Sequence, residues 1–132
     1  MPTRAQHVCR RDAGSTTTEL VLLMPVVLLL VMLIVQFGLW LHARQVATSA
    51  AQEGLVAAQV EFGSAPAGQA RATAFLDAAG GLRDIRVDAT RETTTARVSV
   101  TGTTPAVVPG LHLTVSAAAE GPIERFVSGP DR

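Results

Sequence analysis

The order of hydrophobic and polar positions divides the chain into three stretches with different periods. From Leu20 to Leu41 no side chain is charged, and Gln36 is the only clearly polar one. As a helix this stretch rises about 33 Å, enough to cross a hydrocarbon core of about 30 Å. The apolar region of a secretory signal peptide is shorter, about 7–15 residues. The pattern therefore predicts a transmembrane helix over residues 15–41. Pro25 removes one backbone hydrogen bond near its start, which membrane helices tolerate. Gly38 has no second glycine at the spacing of a GxxxG pair.

Beyond Leu41 the helical pattern continues in a different form. "HARQVATSAAQEGLVAAQVEF" is rich in Ala and Gln and lacks Pro, so its helix propensity is high. Ala47, Ala51, Leu55, Ala58 and Phe62 form one apolar stripe, and Gln45, Ser49, Gln52 and Gln59 lie on another face. One helix from about Thr17 to Phe62 is expected. "GSAPAG" interrupts it. A short second helix follows, with Ala72, Phe75, Leu76 and Ala79 on one face and Gly80-Gly81 as its stop.

The period then changes to two. Ile85, Val87 and Ala89 alternate with polar residues, as do Ala96, Val98 and Val100, and then Leu111, Leu113, Val115 and Ala117. These read as three strands, "IRVDATR", "ARVSVTG" and "LHLTVSA", each with one wet face. "ETTT" is the expected hairpin connection and "TTPAVVPG" a longer one. The tail from Glu120 reads mostly as loop, with Ile123, Phe126 and Val127 placed to dock. Three strands and one small helix make a thin core, so the sheet should pack on the Ala47–Phe62 stripe. The fold class is α+β: a long N-terminal transmembrane helix continuing as a spine, a short second helix and a small three-stranded antiparallel sheet. Residues 42–132 form the helix extension and head.

Charge sets the orientation. Formal net charge is zero and all eleven basic residues are Arg, a balance that suggests no nucleic-acid partner. Arg4, Arg10 and Arg11 precede the apolar run, and after it Arg44 stands alone until Arg71. The positive-inside rule puts the leader, residues 1–14, in the cytoplasm and residues 42–132 outside. This describes a single-pass protein of the cytoplasmic membrane, with the lipid bilayer as its first partner. Trp40 and His42 fit the outer interface. The single cysteine, Cys9, excludes an intramolecular disulfide.

Candidate chemistry is sparse. His7, His42 and His112 are scattered, and no phosphate loop, HExxH or Ser/His/Asp order is present. Asp84, Asp88 and Glu92 fall on or just beyond wet strand faces. No catalytic, cofactor or metal site is assigned, and the expectation is a non-enzymatic protein. Glu19, directly before the run, has a local explanation: Thr16 to Glu19 spells a capping box, and a carboxylate suits a helix N-terminus.

A second explanation comes from resemblance. In "RRDAGSTTTELVLLMPVVLLLVMLIVQFG" a basic leader ends in Gly14, the helix follows, and Glu19 is the fifth residue after the glycine. This resembles the type IV pilin signature. The stretch "GSTTTELVLLMPVVLLLVMLIVQFG", with its proline and its closing Q-F-G, is similar to the TadE-like family: minor pilins or pseudopilins of the tight-adherence (Flp) pilus system. "ARQVATSAAQEGLVAA" and "SAAAEGPIERFV" resemble actinobacterial members. The resemblance implies a pilin-like fold and cleavage between Gly14 and Ser15 by a prepilin peptidase. It implies contact of Glu19 with a neighbouring subunit's N-terminal amine, and partners among pilus or pseudopilus subunits and a membrane assembly platform. Ser15 stands where major pilins carry an aromatic residue, and Leu20 follows Glu19 where they often have Tyr. The alternative is a membrane-anchored interaction protein whose head never enters a filament.

Overall fold

A computed structural model describes residues 13–123. The leader up to Asp12, with His7, Cys9 and the first three arginines, lies outside the described residues, as do Phe126 and Val127.

The helix α1 spans Ala13–Gln59, continuing through Pro25. It starts earlier and stops sooner than the expected Thr17–Phe62. Helical backbone is already in place at Ala13, so Thr16 lies inside the helix and is not its N-cap. The far end stops because the chain turns at Val60–Gly63, where the Gly63 N–H donates to the Val60 carbonyl. Phe62, expected on the buried stripe, is therefore off the helix and 94% exposed.

The helix α2 spans Ala65–Ala79. Ser64 caps its start by accepting from the Ala67 N–H, and Pro66 lies in its first turn, where no donor is needed. Gly80, at φ 65°, ends it, and its N–H donates to the Leu76 carbonyl.

Three strands follow: β1 Arg83–Arg91, β2 Thr95–Thr103 and β3 Thr114–Pro122. They form an antiparallel meander in the order β1-β2-β3. Val98 at the centre pairs with Ala89 on one side and Ala119 on the other. The register of β1 shifts between Arg83 and Arg86, where Asp84 adopts φ 50°.

The third strand departs from expectation. Leu111 and Leu113 precede it, and "EGP", expected as loop, belongs to it together with Ala118 and Ala119. The inward parity is as expected, with Val115 and Ala117 facing in and Ala119 continuing the face. What moved is the boundary. Alanine and glycine have weak strand preference, but the full length of β2 offers them a ladder, and that tertiary pairing overrides propensity. His112 consequently lies in the connecting loop, exposed, and not on a strand.

The core is built from small side chains. Ala43, Val46, Ala47, Ala50 and Ala51 of α1 meet Ala72 and Leu76 of α2 and Val87, Val98, Val100 and Val115 of the sheet. Alanine lets elements approach closely but removes little apolar area from water. The approach is close where the helices cross. A Cβ on Gly54 would lie 2.8 Å from the Gly68 carbonyl oxygen, and one on Gly68 would lie 2.8 Å from that of Gly54. The outer sheet face carries Arg86, Asp88, Arg97 and Glu120, all exposed.

Candidate functional site

The region of interest is α1 itself, from Gly14 to the place where the head takes hold of it. Gly14 and Ser15 lie in the first turn described. Glu19 is exposed and stands immediately before the exposed apolar surface. The two ion pairs among the described residues, Arg71–Glu53 and Arg97–Glu120, do not involve it. Thus Gly14, Ser15 and Glu19 sit together at one end of one helix, far along the chain from any part of the head.

From Leu20 to Val35 nearly every side chain is exposed, with Leu22 at 71% and Val21 at 66%. Of the most apolar 18-residue window of α1 only 6% is buried in the fold. A soluble protein's core helix would be covered, and surface of this extent marks contact with lipid or with other apolar partners. The same helix continues unbroken into the spine of the head. Among the described residues this is the one helix long and apolar enough to cross a membrane.

The head first engages this helix at Gln36, within the apolar run. Gln36 is 1% exposed and, with Leu76, is among the largest fully buried side chains. Its Oε1 accepts from the Val107 N–H at 2.6 Å and the Val108 N–H at 3.4 Å. Its Nε2 donates to the Pro105 carbonyl at 3.2 Å and the Thr104 hydroxyl at 3.4 Å. A buried amide satisfied at both ends avoids the desolvation cost of an unpaired polar group. One turn further, the Trp40 indole N–H donates to the Thr114 carbonyl at 3.3 Å. Phe37 stacks on Trp40, and the Arg44 guanidinium lies 5.7 Å from its ring centroid.

The opposite end of the spine is tied by Arg91. Its guanidinium donates to the carbonyls of Ala58 at 2.8 Å, Val60 at 3.2 Å and Gly63. Ala58 is in the last turn of α1, where a cation is favoured, and Val60 and Gly63 belong to the turn that follows. Gln59 reaches from the same end to the Pro122 carbonyl at 2.9 Å.

A cleft of about 540 Å³ lies between α2 and β1, lined by Gln69, Thr73, Asp77, Arg86 and Asp88 among others. Among the described residues no three His, Cys, Asp or Glu side chains gather as a metal-binding group. Sequence reasoning left Gln36 and Arg91 without roles. Gln36 carried a signal, because a lone amide in an apolar run needs a partner. Arg91 carried none, since a strand-end arginine ordinarily points into water.

No curated protein and no solved structure matches the chain. Residues 14–56 match the family described as TadE-like protein. That match begins at Gly14, takes in Glu19 and the exposed apolar run, and ends within the part of α1 that carries the head. The similarity to TadE-like proteins thus covers the exposed apolar run and the lower part of the spine.

Proposed function

We propose that this protein is a single-pass membrane protein associated with a tight-adherence pilus, acting as a non-enzymatic minor pilin or pseudopilin in filament assembly. The observation that carries this reading is the TadE-like match over residues 14–56, which includes both Gly14 and Glu19. The exposed apolar length of α1 supports it, since such a helix can lie in lipid before assembly and against other subunits afterwards. The N-terminus faces the cytoplasm and the head lies outside the cytoplasmic membrane. A prepilin peptidase cuts between Gly14 and Ser15, and Glu19 then meets a neighbouring subunit's new amine. A carboxylate beside hydrocarbon is tolerable when a cation meets it. Intact mass of the membrane-extracted protein tests the processing. A chain beginning at Ser15 is expected, and one beginning at Met1 in cells that hold the peptidase would overturn the processed form.

A second reading is an anchored interaction protein that stays out of the filament. It is favoured by the exposed Val56, Val60 and Phe62 near the outward end of α1, an apolar tip open to a partner. Recovery of the protein in membranes but never in sheared filaments would select it.

A further inference from the structure

The loop 104–113 joins β2 to β3 and is the part of the head that seizes Gln36. The depth of that contact follows from length. Leu20 to Gln36 rises about 24 Å along a helix. A hydrocarbon core is about 30 Å thick. If the core begins at Leu20, after the carboxylate of Glu19, then Gln36 lies about 6 Å below its outer boundary, and helix tilt deepens this. Trp40 and Arg44 then fall at the headgroup level, where aromatic and basic side chains are favoured. A loop bonded to Gln36 is carried to the outer edge of the hydrocarbon.

The loop has the chemistry for that position. From Val98 to Ala119 the chain contains no Asp, Glu, Lys or Arg, and the exposed His112 is its one titratable side chain, suited to the interface. Ala106 and Pro109 are exposed, and Val107, Val108 and Leu111 are partly buried. Lipid-exposed irregular backbone does not occur inside the hydrocarbon, so such a loop must be covered by protein or reach the polar interface. Here Pro105 and Pro109 have no N–H to satisfy. Val107 and Val108 donate to Gln36, Thr104 donates to the Leu113 carbonyl, and Leu111 donates to the Val108 carbonyl. The exposed N–H groups of Ala106, Gly110 and His112 make no such bond, and headgroups and water at the outer edge of the hydrocarbon can meet them.

We propose that the loop 104–113 is a second membrane element, seated through Gln36 in the outer leaflet beside α1, with Ala106 and Pro109 facing lipid. The occupant of this surface is the bilayer itself. The inference rests on α1 being a membrane anchor. It makes the head a body held at a fixed depth by two contacts with lipid, in place of one swinging on a single helix.

The test uses the full chain with Cys9→Ser and one new cysteine per variant, labelled with an environment-sensitive fluorophore. The positions are Leu28→Cys in the run, Ala106→Cys and Pro109→Cys in the loop, and Thr94→Cys at the opposite end of the sheet. Each protein is reconstituted in phosphatidylcholine vesicles whose acyl chains carry bromine, which quenches at hydrocarbon depth. Quenching at Ala106 and Pro109 comparable to that at Leu28, with none at Thr94, is the expected result. Quenching at Leu28 without quenching at either loop site would overturn the loop placement and leave the anchor standing. No quenching at Leu28 would overturn the anchor and the loop placement together.

Discussion

The side-chain amide of Gln36 accepts a hydrogen bond from the Val107 N–H at 2.6 Å, joining the apolar run to a loop 71 residues further along the chain. The same amide also meets Val108, Pro105 and Thr104. Gln36→Leu keeps most of the volume and removes every one of these bonds. The Val107 and Val108 N–H groups would then be left without their acceptor. An unsatisfied buried group costs about 1–3 kcal/mol. The expected outcome is normal membrane insertion with a loosened head. Amide exchange at Val107 and Val108 should accelerate, and the thermal midpoint in detergent should fall. Unchanged exchange at both amides would show that the bonds contribute nothing.

The crossing of α1 and α2 makes a sharper steric prediction. In Gly54→Ala the new methyl would sit 2.8 Å from the Gly68 carbonyl oxygen and 2.9 Å from the Ala72 Cβ. Neither neighbour is a flexible side-chain end, so the helices must separate. Overpacking of this kind costs about 1–3 kcal/mol. Gly68→Ala should cost a similar amount, and the double variant should cost less than the sum, because one separation relieves both clashes. Gly38→Ala is the control. A Cβ there meets nothing within 4 Å, and thermal unfolding should register no loss.

Arg91 holds the C-terminal end of α1 to the edge of the sheet through three main-chain carbonyls. Arg91→Ala should destabilise the head by about 1–3 kcal/mol, the range for hydrogen bonds to a charged group and for the carbonyls left behind. Arg91→Lys should recover part of this, because an ammonium keeps the charge and can donate to carbonyls, but on a shorter arm. Faster amide exchange confined to Ala58–Gly63 would assign the effect to the helix end. A global change of equal size without that local signature would count against a capping role.

These residues also mark where the sequence is legible and where it is not. The exposed run, the helix α2 between Ser64 and Gly80, and the inward parity of Val98, Val100 and Val115 all follow from local period and from capping chemistry. Gly14, Ser15 and Glu19 are legible only as a spacing, which the TadE-like match includes and which no head contact reveals. The seat of the head on Gln36 is not legible, because it depends on a partner 71 residues away. The same holds for Gly54 against Gly68, since glycine in a helix gives no sign of what crosses it. The extent of β3 escaped for a related reason. Its pairing is decided by β2, while "SAAAEGP" taken alone has little preference for a strand.

Glu19 yields the most direct test of the assembly reading. Because α1 is already helical at Ala13, Glu19 does not close a capping box with Thr16 as N-cap. Its removal should therefore leave the helix intact. A charge beside hydrocarbon opposes insertion, so Glu19→Ala and Glu19→Gln should reach the membrane at least as well as the parent chain. Both should nevertheless fail to enter filaments, since neither can pair with a subunit amine. Glu19→Asp keeps the charge on a shorter arm and should restore assembly in part. Membrane fractionation and the subunit's presence in sheared filaments measure the two steps separately. Assembly of Glu19→Gln at the parental level would remove charge pairing as the reason for this residue, because the glutamine keeps the shape and one acceptor oxygen but lacks the charge.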